Sequence, residues 1–299
     1  MRRRFANSKN PFLRKGESVA TRTLKRALQA VAPGTFQPLP AILVNSLPKS
    51  GTHLLTQVIE GLPSAGDWGE FFVSTPSLTM HEIPPRKMGP RLRRIAPGEV
   101  AKGHLFWEQE YAESLVGMNV VTYFVYRDLR DVVASEAYYL AEMNRYHRMH
   151  RVYSALSLED RLMLSICGSD DLTRQGIFYP SINERFRRYA GWLDSPNTLA
   201  VRYEDLQGDR LETTIARVVE HYLRACDSTT RRQLEGDRLH RKCLDSIDPA
   251  RSHTFRSGKR GGWRSEFNER HVRAFKAVAG DLLVELGYES DTEWVVAPG

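Results

Sequence analysis

The sequence predicts one α/β domain, a central parallel sheet covered by helices on both faces, with a P-loop-like anion cradle at one strand end. Three observations carry this. Apolar runs at 41–45, 120–126 and 198–203 have the length and continuity of strands buried on both faces. Each leads toward a segment with helical spacing, at 52–61, 131–140 and 210–223, and such alternation with right-handed crossovers builds a parallel sheet. At 299 residues the chain is long enough to bury that core, and no internal repeat suggests another architecture.

Residues 1–37 read as a basic N-terminal arm. Within 1–26, Arg2, Arg3, Arg4, Lys9, Arg14, Lys15, Arg22, Lys25 and Arg26 face a single acid, Glu17. That balance predicts a loosely ordered segment and allows weak contact with a membrane surface, and an Arg-rich, acid-poor composition also suits an organelle transit peptide. The arm lacks the apolar core of a secretory signal, and no run of 18 apolar residues spans a membrane. A net charge of +7 favours an anionic partner. Cys167, Cys226 and Cys243 show no metal-ligand spacing. We therefore expect no metal site and a reducing, cytoplasmic setting.

The domain itself is expected over 38–290, with 291–299 as a tail. Ala41 to Val44 runs through Pro48-Lys49-Ser50-Gly51-Thr52 into a helix with apolar residues at 54, 55, 58, 59 and 62. A strand passing through a glycine turn into a helix start points several backbone N–H groups at one spot, where the helix dipole adds positive potential. Lys49 adds a full charge, and Ser50 and Thr52 add hydroxyl donors. The stretch is an anion cradle or, read alone, only a strand–turn–helix connection with a surface lysine. It is not the triphosphate loop, because its lysine precedes the glycine by two residues.

Residues 62–98 carry six prolines and little periodicity, which predicts irregular structure around a site. Val100 to Leu105 is a short extended segment containing Lys102 and His104. A short helix over 108–117 leads to the strand 120–126, which ends at Arg127, with Ser135 in the next helix. In open parallel sheets ligands bind at that edge, where residues 49, 102–104, 127 and 203 can gather. The Met and aromatic residues of 141–180 suit helix packing. Helices are expected at 182–193 and 269–286; 225–254 is polar and without clear pattern.

Five blocks in order resemble the sulfotransferases that use 3′-phosphoadenosine-5′-phosphosulfate (PAPS). They are Pro48-Lys49-Ser50-Gly51-Thr52, Lys102-Gly103-His104-Leu105, Tyr126-Arg127-Asp128 through Ser135, Tyr203-Glu204-Asp205, and Phe255-Arg256-Ser257-Gly258 through Gly261-Gly262-Trp263-Arg264. Together they span about 41–267. The resemblance implies that Lys49, Ser50, Gly51, Thr52 and His53 hold the 5′-phosphosulfate. It assigns the 3′-phosphate to Arg127, Ser135, Arg256, Ser257 and Gly258, and adenine to Tyr203. The chemistry implied is metal-independent in-line transfer of a sulfuryl group to an acceptor hydroxyl or amine, releasing 3′-phosphoadenosine-5′-phosphate (PAP). His104 is then the general base, Lys49 stabilises the leaving phosphate, and Lys102 holds sulfuryl oxygens.

Departures from the family pattern mark where these implications stop. Leu54 stands where the family has an adenine-stacking tryptophan, and His53 replaces a threonine. Ser257 replaces a lysine and Gly262 an aspartate, which shifts weight to Arg256, Lys259 or Arg260. The family's dimer motif is not matched at 264–273. The acceptor, a small molecule or glycan, cannot be read from the sequence. A P-loop kinase-like phosphotransferase is the alternative, and a nucleic-acid or membrane-surface protein explains the charge but none of the ordered blocks.

Overall fold

A computed structural model describes residues 10–32, 36, 39–248 and 260–295. Five strands form one parallel sheet: β1 Ala41–Ser46, β2 Phe71–Val73, β3 Val100–His104, β4 Val120–Tyr126 and β5 Thr198–Arg202. Their order is β2-β3-β1-β4-β5, so the strand that feeds the cradle is central. β1 pairs with β3 from Ile42↔Val100 to Asn45↔Gly103, and with β4 from Ala41↔Val120 to Ser46↔Val125. β4 pairs with β5 up to Tyr126↔Arg202. The C-terminal ends of all four therefore finish nearly level.

Every residue of β1 is buried, which explains its unbroken apolar run. Alternate side chains serve opposite faces. Ile42 and Val44 join Leu55, Val58 and Ile59 of α2 (Thr52–Ile59) and Ile215, Val218 and Tyr222 of the helix Leu211–Ala225. Ala41 and Leu43 join a larger core holding Met149, Tyr153, Tyr179 and Phe186; of the Met and aromatic residues of 141–180, Met149, Tyr153 and Tyr179 pack there, whereas Met143 and Tyr146 are exposed.

The structure orders segments that showed no pattern. Residues 62–98 contain β2 and a helix, Pro85–Leu92, and 225–248 contains helices Ser228–Gln233 and Gly236–Asp245. β2 has only three residues, too short for a period to register in sequence. In the tail, Trp294 is buried, its ring centroid 5.4 Å from that of Trp263 and 6.0 Å from that of Phe275.

The larger correction concerns the basic arm. Residues 11–31 form a helix, α1 (Pro11–Val31), capped by Asn10, whose side chain accepts from the N–H groups of Phe12 and Leu13. It docks on the segment before β2. Thr21 donates its hydroxyl to the Trp68 carbonyl at 2.8 Å, and the fully buried Lys25 bonds Glu70 at 3.1 Å and Glu99 at 2.8 Å. Gly69 has φ +84°, and a Cβ there would stand 2.9 Å from the Cα of Ser18, so only glycine lets the helix approach this closely. Composition predicted loose order because the acids that pair with Lys25 lie 45 and 74 residues away.

Candidate active site

The cradle is built on two backbone devices. Gly51 caps α2 in the left-handed region at φ +103°, and Lys49 lies there too, at φ +71°. A Cβ on Gly51 would meet the Tyr203 ring at 2.2 Å, so the ring that follows β5 seats directly on the glycine. The Ser50 side chain is fully buried, and its hydroxyl has no hydrogen-bond partner among the described residues. Such an orphan is costly unless a ligand satisfies it. The Thr52 and Ser46 hydroxyls are 2.6 Å apart. Lys49 Nζ lies 4.0 Å from the centre of the Tyr139 ring. Tyr139 opens a π-helical turn, Tyr139–Met143, directly after α5 (Leu129–Tyr138).

On one flank of β1 stands His104, at the end of β3. Its Nδ1 lies 3.0 Å from the Ser46 carbonyl oxygen, and its ring packs edge-on to Phe71 at 5.3 Å. A carbonyl only accepts, so Nδ1 carries the hydrogen and Nε2 keeps a free lone pair. Burial, with a smaller contribution from the charge of Lys49, pulls the imidazole pKa down to about 4. The strand end is fixed by Asn45, whose side chain both accepts from Leu105 N–H at 2.8 Å and donates to its carbonyl at 2.9 Å. Trp192 donates its indole N–H to that same carbonyl.

On the other flank stand Arg127 and Tyr203, just past β4 and β5. The guanidinium lies 4.5 Å from the centre of the Tyr203 ring and 3.4 Å from Asp131. Asp131 in turn accepts from the backbone N–H groups of Gly261 at 2.9 Å and Trp263 at 3.0 Å. Ser135 is on α5, one turn beyond Asp131. Arg256, Ser257 and Gly258 lie outside the described residues, but the loop's exit at 261–263 is thus tied to Arg127 through one carboxylate.

Lys49, Gly51, Thr52, His53, Lys102, His104, Arg127, Ser135 and Tyr203 all line one cleft of about 1010 Å³. Leu54 is there too, with no tryptophan to offer a stacking face. The Lys102 ammonium is held by Asp67 at 2.6 Å. Among the described residues no cluster of His, Cys, Asp or Glu could hold a metal ion, and no helix is long and apolar enough to cross a membrane.

Residues 39–287 match the sulfotransferase domain as a family. The chain belongs to that family. No curated protein matches it by sequence. Among solved structures, mouse sulfotransferase SULT7A1 complexed with PAP is similar, at 16% identity and a TM-score of 0.56, over 88% of this chain and 91% of that one. A retinol dehydratase complex with androsterone and inactive cofactor PAP gives 17% identity and a TM-score of 0.45, covering 82% of each chain. The first shows that the sulfotransferase fold is shared. Within this sulfotransferase domain, several residues that shape the site carried no sequence signal. Asp67 and Asp131 each orient a cation, Ser46 sets the tautomer of His104, and Tyr139 supports Lys49. Arg14, Lys15, Ser18 and Arg22 of α1 also line the cleft. A lone Asp or Tyr has no pattern in one dimension; only the Asp three residues after Asp128 stood inside a recognisable block.

Proposed function

We propose that this protein transfers a sulfuryl group from PAPS to a hydroxyl or amine of its acceptor, releasing PAP. The observation that carries the proposal is the sheet order. β3 and β4 flank β1, so the candidate base and the candidate 3′-phosphate residues stand on opposite sides of the cradle. A donor charged at two ends needs two anion sites, and in-line displacement needs the base away from the leaving group.

In this reading Lys49, Ser50, Gly51, Thr52 and His53 hold the 5′-phosphosulfate, and the orphan Ser50 hydroxyl gains the partner it lacks. Arg127 and Ser135, with the loop 256–258, hold the 3′-phosphate through charge-assisted hydrogen bonds. Tyr203 covers adenine. His104 Nε2 takes the proton of the acceptor hydroxyl as its oxygen bonds to sulfur and the sulfur–oxygen bond to phosphate breaks. Lys49 neutralises the charge that builds on that phosphate oxygen, leaving its place over Tyr139. Lys102 reaches the sulfuryl oxygens only by sharing its ammonium with Asp67.

The experiment is an acceptor screen with labelled PAPS in excess EDTA, beside melting measurements with PAP, AMP and ADP. PAP should stabilise the fold far more than either single-ended nucleotide. Equal stabilisation by all three, or label transfer that returns only with Mg²⁺, would overturn the proposal and favour a phosphotransferase.

A further inference from the structure

Beside the cleft lies a second pocket of about 240 Å³, walled by Arg22 and Arg26 of α1 and by Arg91 and Arg94 at the end of the helix Pro85–Leu92. Four arginines line this small volume, two of them (Arg26 and Arg94) open to solvent, and an anion among them would relieve their mutual repulsion. The one carboxylate on its wall, Glu70, already accepts from Lys25 at 3.1 Å. Among the described residues, Arg26, Arg91 and Arg94 form no ion pair. The four arginines come from elements far apart in sequence, and it is the buried Lys25 anchor that brings them together.

The pocket adjoins the cleft, since Val19, Arg22 and Glu70 border both. Glu70 is followed by Phe71, the ring packed edge-on to His104 at 5.3 Å. Glu70 on the pocket and Phe71 against His104 thus belong to one stretch of chain that borders both sites. The cleft wall is apolar and open at Val19, Phe71 and Leu78, which are 55%, 40% and 54% exposed. Exposed apolar side chains in a cleft that adjoins an arginine cluster suit a ligand with an apolar body and a charged end.

We propose that the arginine pocket binds an oxyanion carried by the acceptor (carboxylate, sulfate or phosphate) at a distance from the hydroxyl that reacts. The acceptor is then an amphipathic anion, not a neutral alcohol. This rests on the sulfuryl-transfer reading above. Arg14 and Lys15, which line the cleft, add positive potential that draws such a ligand in.

The test uses the full chain saturated with PAP, so that the donor's own anion sites are filled. Calorimetry compares 10-hydroxydecanoate, its uncharged methyl ester and inorganic sulfate, on the wild type and on an Arg26→Ser, Arg94→Ser double variant. Neither of those arginines lines the cleft. The hydroxy acid should bind about tenfold or more tighter than the ester, and the double variant should lose that preference while keeping its PAP affinity. An Arg94→Gln single variant repeats the comparison should the pair disturb folding. Equal binding of acid and ester, no binding of the acid, or a preference that survives the substitutions would overturn the proposal. So would sulfate binding as tightly as the hydroxy acid, because the pocket would then hold a free anion. A protein that fails to bind PAP refutes the donor reading instead, so the two failures are distinguishable.

Discussion

The Nδ1 atom of His104 lies 3.0 Å from the carbonyl oxygen of Ser46, the last residue of β1. One backbone acceptor thus leaves Nε2 bare on a neutral ring, in the form a general base requires, and ties that base to the strand that feeds the cradle. His104→Ala should therefore cut turnover by roughly 10²-fold or more while leaving PAP affinity almost unchanged. His53→Ala should act the other way, chiefly weakening the nucleotide, since His53 lies in the first turn of α2. Turnover measured with an alkyl alcohol, which gives up its proton reluctantly, decides between them. Near-normal turnover in His104→Ala would place the base elsewhere.

The pH dependence follows from the same burial. With its pKa pulled down to about 4, His104 is already neutral well below the usual histidine range. The kcat/KM for the donor should stay level from neutral pH to about 5 and fall only toward 4, where protonation removes the lone pair. The kcat profile should turn at a higher pH, because a bound anion favours the imidazolium. Stability carries the same sign. A depressed folded-state pKa means full stability above the unfolded value of 6.5, declining as pH falls through the folded value. His147, also lowered to about 4 by burial, adds to that decline. An acid limb of kcat/KM centred near 6.5 would contradict the assignment.

Asp131 is a positioning residue between Arg127 and the loop that ends at 261–263. Asp131→Ala frees two backbone N–H groups and one guanidinium at once. It should weaken PAP by about 1.5–3 kcal/mol, as should Arg127→Ala, while AMP affinity barely moves. Asp131→Asn keeps one acceptor oxygen and should recover part of the loss. Titrating all three variants with PAP and AMP separates this from general destabilisation, which would weaken both nucleotides alike.

Gly51→Ala should cost at least about 1 kcal/mol of stability and most of the nucleotide affinity. The positive φ penalises any Cβ, and the added carbon meets the Tyr203 ring at 2.2 Å, so the ring must leave the cradle. Denaturant unfolding and PAP titration check both effects. Unchanged PAP affinity would mean that Tyr203 does not bind the nucleotide where it now lies.

Lys25→Met leaves Glu99 and Glu70 without their cation in a buried site. Breaking such a pair costs about 3–5 kcal/mol, although Glu99, whose pKa burial already raises to about 7, can soften this by taking up a proton. Limited proteolysis should then cut within α1, at bonds protected in the wild type. Protection as strong as before would show that the helix is held by its other contacts.

The sequence by itself determined the sheet, the cradle and the order of the five blocks. Those features repeat along the chain, as apolar runs of strand length, as helical spacing, and as a lysine, glycine and threonine packed into five residues. It also placed Lys49, His104, Arg127 and Tyr203 on one edge, because parallel strands with right-handed crossovers bring their C-terminal ends together. Only the tertiary structure decided which strand lies beside which, and so which flank of the cradle each residue occupies. It decided, too, that residues 11–31 of the basic N-terminal segment form a docked wall of the cleft, while residues 1–9 lie outside the described residues. Lys25 becomes an anchor only when Glu70 and Glu99 are folded against it, and Lys102 finds Asp67 across 35 residues of chain. Charge pairs formed over such separations leave no periodic trace, since either partner alone reads as an ordinary solvated residue.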